Sequence, residues 1–277
     1  MRIVLTGAGG GLGRAFWGAC PAHHDLEAFT RQELDIGDHH AVMRTVVPLR
    51  PDLIVNAAAF TKVDACQMEP ERAYRDNALG PQSLALAARA CGAMLVHVST
   101  DFVFDGEKGE SYDELDAPNP RSVYARSKLG GETMVQASTP EHFIVRTGYV
   151  FGGGQDYVTS QLRMMASGER GAGLVDRRGT PTYVRHLAER VLPLALSGRF
   201  GTYHLGGPEA ATYHDVLGRA KALGDLRGAV EEQRSDDLDL PAPRPRNSAL
   251  TSLFAVEVGI PPMPPLDDAL RDLLGSL

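Results

Sequence analysis

With 277 residues, 43% of them hydrophobic and 23% charged, the chain has an ordinary globular composition and enough length for an α/β domain with a smaller appendage. A net charge of −7 without a basic stripe argues against a general nucleic-acid binder, and no apolar run reaches the roughly 18 residues of a membrane span. Three widely spaced cysteines, Cys20, Cys66 and Cys91, read as reduced thiols of a cytoplasmic protein rather than as a metal or disulfide set, and no metal site is expected.

Arg2 to Thr6 predicts a first strand stopped by glycine, which leaves no room for a signal peptide before it. Gly7-Ala-Gly-Gly10-Gly11-Leu12-Gly13 follows and leads into a helical pattern through Trp17. Strand, glycine turn and helix form the phosphate-binding entry of a dinucleotide fold. The glycines let the backbone approach a pyrophosphate, which sits on the helix N-terminus. The spacing is Gly7-x-x-Gly10-x-x-Gly13 rather than the tighter G-x-G-x-x-G. Gly7, Gly10, Gly11, Leu12 and Gly13 are therefore candidate cofactor contacts.

A second strand, Leu26 to Phe29, ends at Thr30-Arg31. A carboxylate at that place would bind a ribose 2′-hydroxyl, whereas a guanidinium suits a 2′-phosphate. Arg31 thus points to NADPH, with NADH as the alternative, and Asp35 and Ile36 in the next turn are grouped with it. Asp38 is placed to cap a following helix. His39 and His40 have no ligand partner at a metal-like spacing and read as surface residues.

Leu53 to Asn56 is a buried strand followed by Ala57, Ala58 and Ala59, small enough for a flat cofactor to pack on the backbone. Pro70 to Ala90 predicts one long helix, with Asn77 bridging backbone groups. Met94 to Val98 is a fourth strand with His97 as a satisfied core residue. It delivers Ser99, Thr100 and Asp101 to the carboxyl edge of the sheet, where ligands bind in such folds.

In Val123-Tyr-Ala-Arg-Ser-Lys-Leu-Gly-Gly-Glu132, Tyr124 and Lys128 share one helix face. A free tyrosine titrates near ~10, and an ammonium beside it favours the phenolate, bringing that value toward the working range. The pair alone could be an exposed helical pair. The glycine turn and Ser99-Thr100-Asp101 make it a candidate acid/base, with Thr100 donating to a substrate oxygen while Tyr124 transfers the proton. Beyond the fifth strand, His142 to Thr147, the pattern predicts a helix at Asp156 to Ser167, a strand at Leu174-Val175, a helix at Val184 to Leu196 and a strand at Tyr203 to Leu205. His204 and His214 read as packing residues.

These segments resemble the extended short-chain dehydrogenase/reductases, and among them the dTDP-4-dehydrorhamnose reductase family. The resemblance is carried by Asn56-Ala-Ala-Ala-Phe-Thr-Lys-Val-Asp64, Glu69-Pro70 with Asn77-Ala-Leu-Gly-Pro81, Val98-Ser-Thr-Asp-Phe-Val-Phe-Asp-Gly106 and Val123 to Glu132. Arg146-Thr-Gly-Tyr-Val-Phe-Gly152, Gly179-Thr-Pro-Thr182, Tyr203-His-Leu205 and Arg244-Pro-Arg-Asn-Ser248 continue it. It implies a doubly wound Rossmann-type parallel sheet, residues 1–147 and 171–205, with a smaller discontinuous sugar-nucleotide-binding region, 148–170 and 206–277.

The activity implied is NADPH-dependent reduction of the C4 keto group of a dTDP-4-keto-6-deoxyhexose. Tyr124 would protonate the alkoxide, Lys128 would lower the tyrosine pKa and hold the nicotinamide ribose, and Thr100 would polarise the carbonyl. Asp101 and Thr61 would hold hydroxyls, and Arg244 or Arg246 would meet the diphosphate. Some relatives dimerise, so a homodimer is an open partner. The chain has Phe102 where the family has tyrosine, Tyr149 where it has tryptophan, and a shorter, more basic loop at Val175-Asp176-Arg177-Arg178. These three departures leave the sugar open. A regulatory subunit resembling the methionine adenosyltransferase beta subunit and a sugar-nucleotide epimerase remain as alternatives on the same fold.

Overall fold

The apolar runs of the first half form five parallel strands: β1 (Arg2–Thr6), β2 (Asp25–Phe29), β3 (Leu53–Asn56), β4 (Met94–Thr100) and β5 (His142–Thr147). The computed structural model describes residues 1–277. A sixth strand, Gly201–His204, pairs outside β5, giving the order Gly201–His204, β5, β4, β3, β1, β2. A parallel sheet is covered on both faces, so its strands are continuously apolar. Ile3, Leu5, Leu53, Val55 and Val96 pack on one side, while Val4, Ile54 and Leu95, the intervening residues, pack on the other. The first side is covered by helices Gly11–Ala19 and Val184–Leu196, and the second by His39–Leu49 and Gly80–Cys91. The strand order reverses between β1 and β3, which opens a crevice at their carboxyl ends. No helix is long and apolar enough to cross a membrane.

Side-chain caps set several helix starts. Asp38 accepts from the Ala41 amide at 2.9 Å, and Asp156 from the Thr159 amide at 2.9 Å. Ser122 accepts from the Ala125 amide at 3.2 Å and so starts helix Val123–Ser138, which carries Tyr124 and Lys128.

The single helix expected over 70–90 is broken into helix Pro70–Tyr74, a π turn Arg75–Leu79 and helix Gly80–Cys91. Pro81 has no N–H to give to the Asn77 carbonyl, so the regular ladder fails there. Asn77 sits in the turn and bridges as expected: its Oδ1 accepts from the Phe60 amide, and its Nδ2 donates to the Phe60 carbonyl and Ser127 Oγ.

The expected strand at Leu174-Val175 also differs. The strand begins at Gly171 rather than Leu174, and Gly171–Leu174 pairs with Val230–Gln233; Arg178–Gly179 pairs with Ala211–Thr212, and Val150–Phe151 with Thr182–Tyr183. Residues 171–183 therefore pair within the smaller unit, whose core includes Phe151, Leu162, Met165, Tyr183 and Leu217. Conversely Ala255 and Ile260 pack into the core of the large sheet. The tertiary pairing decides both, and neither strand is long enough to announce its partner in sequence.

Candidate active site

The glycine turn leaves β1 with Gly7 at φ +77°, where a Cβ would stand 2.5 Å from the Ala58 nitrogen. Only glycine fits between the two strand ends. Gly7, Gly10, Arg31, Asp35, Ile36 and Ala57 to Ala59 line one cleft of about 390 Å³. Gly11 and Leu12 line an adjoining hollow, and Gly13 is buried beneath the turn. Arg31 lies at the cleft wall, 3.0 Å from Asp76 Oδ2. Asp76 is buried in the π turn and also meets Arg75 at 2.9 Å and Arg72 at 3.7 Å. Three guanidinium charges surround this one carboxylate, Arg72 sharing its charge with Glu69 at 3.0 Å. Arg75 spends part of its own on Asp35, at 2.8 Å.

Behind β1 and β3 runs a polar chain: Thr6 Oγ1 donates to Asn56 Oδ1 at 2.8 Å, and Asn56 Nδ2 lies 3.0 Å from His97 Nδ1. The amide donor assigns His97 the Nε2–H tautomer, and Nε2 has no partner. The expectation of a satisfied histidine therefore holds for one nitrogen only. Burial, and after it the Lys128 charge, push this imidazole well below its ordinary pKa, so it stays neutral.

Thr100 and Asp101 close β4, both buried. Thr100 Oγ1 donates to Asp101 Oδ1 at 3.0 Å and accepts from the Phe102 amide at 3.2 Å. The Thr100 proton is thus turned to Asp101 here. Ser248 donates to the other Asp101 oxygen at 2.5 Å. Burial raises the Asp101 pKa to about 6 against these bonds. Gly148 makes room for the carboxyl, since a Cβ there would lie 2.0 Å from Asp101 Cγ.

Tyr124 is buried beside Thr100, with its ring edge-on to Phe102 at 6.1 Å. Burial holds the phenol well above its ordinary pKa, with the Asp101 charge adding to the rise. Burial outweighs the lowering expected from Lys128, whose Nζ donates to the Val98 carbonyl at 2.6 Å. Burial brings the Lys128 pKa down to about 8, opposed by the Glu132 charge.

A second cavity of about 240 Å³ begins at Asp101 and Phe102 and is walled by Tyr149, Tyr213, Arg177 and Arg244 among others. Tyr149 has φ +50°, a backbone conformation rare for a bulky residue, and its ring lies 3.9 Å from that of Tyr213. Arg244 is held by Asp64 through contacts of 2.6 and 2.8 Å. Arg246, the other cation expected at a diphosphate, is 70% exposed and 3.7 Å from Asp236, outside this cavity. Thr61 is exposed between β3 and helix Val63–Met68 and lines neither cavity.

The whole chain, residues 1–277, matches the family model described as RmlD substrate binding domain. The chain belongs to the dTDP-4-dehydrorhamnose reductase family. Dehydrorhamnose reductases of Mycolicibacterium smegmatis and Mycobacterium tuberculosis are 36% and 38% identical to it, covering 100% and 99% of the chain and 86% and 93% of the relative. The crystal structure of the Bacillus anthracis reductase in complex with NADP superposes with a TM-score of 0.95 at 30% identity, covering 100% of this chain and 99% of that one.

Within this family frame, the departures Phe102, Tyr149 and Arg177 all line the second cavity. Four site residues escaped the sequence reading: Asp76, Ser248, Tyr213 and Glu132. Ser248 lay inside a quoted motif, read for its arginines. Asp76 lies beside Asn77, but only the π turn aims it at Arg31.

Proposed function

We propose that the protein is an NADPH-dependent sugar-nucleotide 4-ketoreductase, reducing the C4 carbonyl of a dTDP-4-keto-6-deoxyhexose such as dTDP-4-dehydrorhamnose. The observation that carries the reading is Tyr124: a buried phenol that keeps its proton, placed against Thr100 at the sheet edge where the second cavity begins. The first cleft fits the dinucleotide, because the Gly7 turn admits no side chain and the Arg31 guanidinium stands in the wall at the end of β2. NADPH, when bound there, supplies the hydride.

Tyr124 gives its proton to the alkoxide oxygen as it develops, and reduction needs the phenol protonated at the start. Lys128 then faces the phenolate left behind and stabilises it through its charge. Asp101, held by Ser248, fixes the Thr100 hydroxyl beside the phenol. Phe102 and Tyr149 shape the sugar wall, so they set which hydroxyls are read. Three free thiols fit the cytoplasm as its compartment, and a homodimer, which the family likeness offers, is tested by solution mass.

The deciding experiment mixes enzyme, NADPH and a dTDP-4-keto-6-deoxy sugar, follows NADPH absorbance and identifies the product by NMR. NADPH oxidation with formation of the C4 alcohol is expected. NADPH binding without oxidation would leave a regulatory subunit as the reading, and tightly retained NAD an epimerase.

Two further outcomes follow from the geometry. Arg31→Ala lowers kcat/KM with NADPH by about tenfold and leaves NADH unchanged, since a half-exposed guanidinium contributes one charge-assisted contact to a 2′-phosphate. Equal losses with both cofactors would refute the role. The rate also falls as pH rises through about 8, where the Lys128 ammonium loses its proton. A wild-type profile flat to well above that pH would show that the Lys128 charge is not needed.

A further inference from the structure

The cavity beside Asp101 contains a partly buried cation, two of whose nitrogens have no partner. Arg177 stands in its wall with Nε and Nη1 shut off from solvent and bonded to nothing. A buried guanidinium without an acceptor is expensive, and native structures retain one where a ligand supplies the acceptor. The neighbouring carboxylates are engaged elsewhere. Asp176 accepts from the Ser235 amide and hydroxyl, at 3.0 and 2.7 Å, and Asp236 lies 3.7 Å from Arg246. Arg244, across the cavity wall, is fixed by Asp64 and by the Ala242 carbonyl, so most of its charge is already paired. Arg244 alone therefore cannot balance a doubly charged group.

We propose that Arg177 is a diphosphate-binding residue, which with Arg244 forms a two-arginine clamp for the diphosphate of the sugar nucleotide. The assignment rests on the ketoreductase reading and extends it to a residue of the shortened loop at 175–178, where the chain departs from its family's pattern. Burial and the Arg244 charge together make the Arg177 cation costly without an anion, so the free enzyme holds it in a destabilised state that binding relieves. The Tyr149 and Tyr213 rings, 3.9 Å apart, line the same cavity. The clamp makes affinity depend on phosphate count: a diphosphate meets both guanidiniums, a nucleoside neither.

The test is calorimetric titration of wild type, Arg177→Gln and Arg177→Lys with dTDP, dTMP and thymidine, together with thermal midpoints of the unliganded proteins. Arg177→Gln is expected to weaken dTDP by about tenfold to a hundredfold, the range for hydrogen bonds to a charged group. Thymidine affinity should stay as in wild type. The unliganded midpoint should hold or rise, since an unpaired buried charge has been removed. Arg177→Lys should fall between, because an ammonium keeps the charge and loses the planar fork. If wild type binds dTDP and Arg177→Gln binds it equally well, the clamp is overturned while the ketoreductase reading stands. A lowered midpoint with equal losses for dTDP and thymidine would make Arg177 structural, and again overturn it. If wild type binds no dTDP, the ketoreductase reading fails and the clamp falls with it.

Discussion

Tyr124→Phe binds NADPH with near wild-type affinity and loses about 10²–10⁴-fold in kcat, the range that general acid catalysis supplies. The substitution removes one oxygen and keeps the ring, so the edge-on packing against Phe102 at 6.1 Å survives. Thr100 keeps its partners Asp101 and the Phe102 amide. The site should therefore stay assembled without its acid. Stability is expected to hold or improve slightly, because a buried hydroxyl goes with little left unpaired. Two measurements separate the chemical role from a structural one: cofactor affinity by fluorescence titration, and single-turnover reduction of the keto-sugar nucleotide. A variant with near wild-type kcat would remove Tyr124 from the mechanism. A variant with weakened NADPH binding and unchanged chemistry would make it a packing residue. Because burial holds the phenol protonated, no loss of rate from tyrosine ionisation is expected in the neutral range; the descending limb near pH 8 belongs to Lys128.

How much of this could be read from the chain varies with the range of the interaction. The strands β1 to β5 were legible because burial on both faces writes them as uninterrupted apolar runs, and the cap at Asp38 because capping is local. The Tyr124–Lys128 spacing was legible, but its electrostatics were not. Sequence places the two side chains on one face, whereas the Val98 carbonyl that takes the lysine is 30 residues away. Burial, which sets the tyrosine's pKa, is likewise a property of the packed molecule. The same limit explains Arg244 and Arg246. Both are arginines in one proline-rich stretch, and only the distant Asp64 distinguishes the one that faces the cavity. Pro81 did carry a local signal, an absent donor four residues after Asn77, and the reading over 70–90 passed over it.

Glu132→Ala destabilises the protein by about 3–5 kcal/mol, the usual consequence of removing one partner from a buried ion pair. Glu132 ends the motif that carries Tyr124 and Lys128, and its side chain is 2% exposed. Its carboxylate accepts from Arg146 Nη2 at 2.7 Å, from Arg146 Nε at 3.1 and 3.2 Å, and from Ser99 Oγ at 2.5 Å. Arg146 is 7% exposed and lies on β5, with its guanidinium 5.4 Å from the Phe104 ring. Without the carboxylate that cation has no anion within reach and little water, and Ser99 loses its acceptor. Domains of this kind are stable by only about 5–15 kcal/mol, so the loss is a large share of the total. Urea unfolding should show a lower midpoint at an unchanged slope. Glu132→Gln should lose less, since an amide oxygen still accepts from Arg146 and the shape is kept. Pairing Glu132→Ala with Arg146→Met should recover much of the loss, because the uncompensated charge goes with the second change. The pair also ties helix Val123–Ser138 to β4 and β5 directly beneath Thr100, so the single variant should turn over more slowly even where it is fully folded. A loss below about 1 kcal/mol, or a double variant no more stable than the single one, would show that Arg146 finds another partner and that Glu132 does not hold the catalytic helix to the sheet.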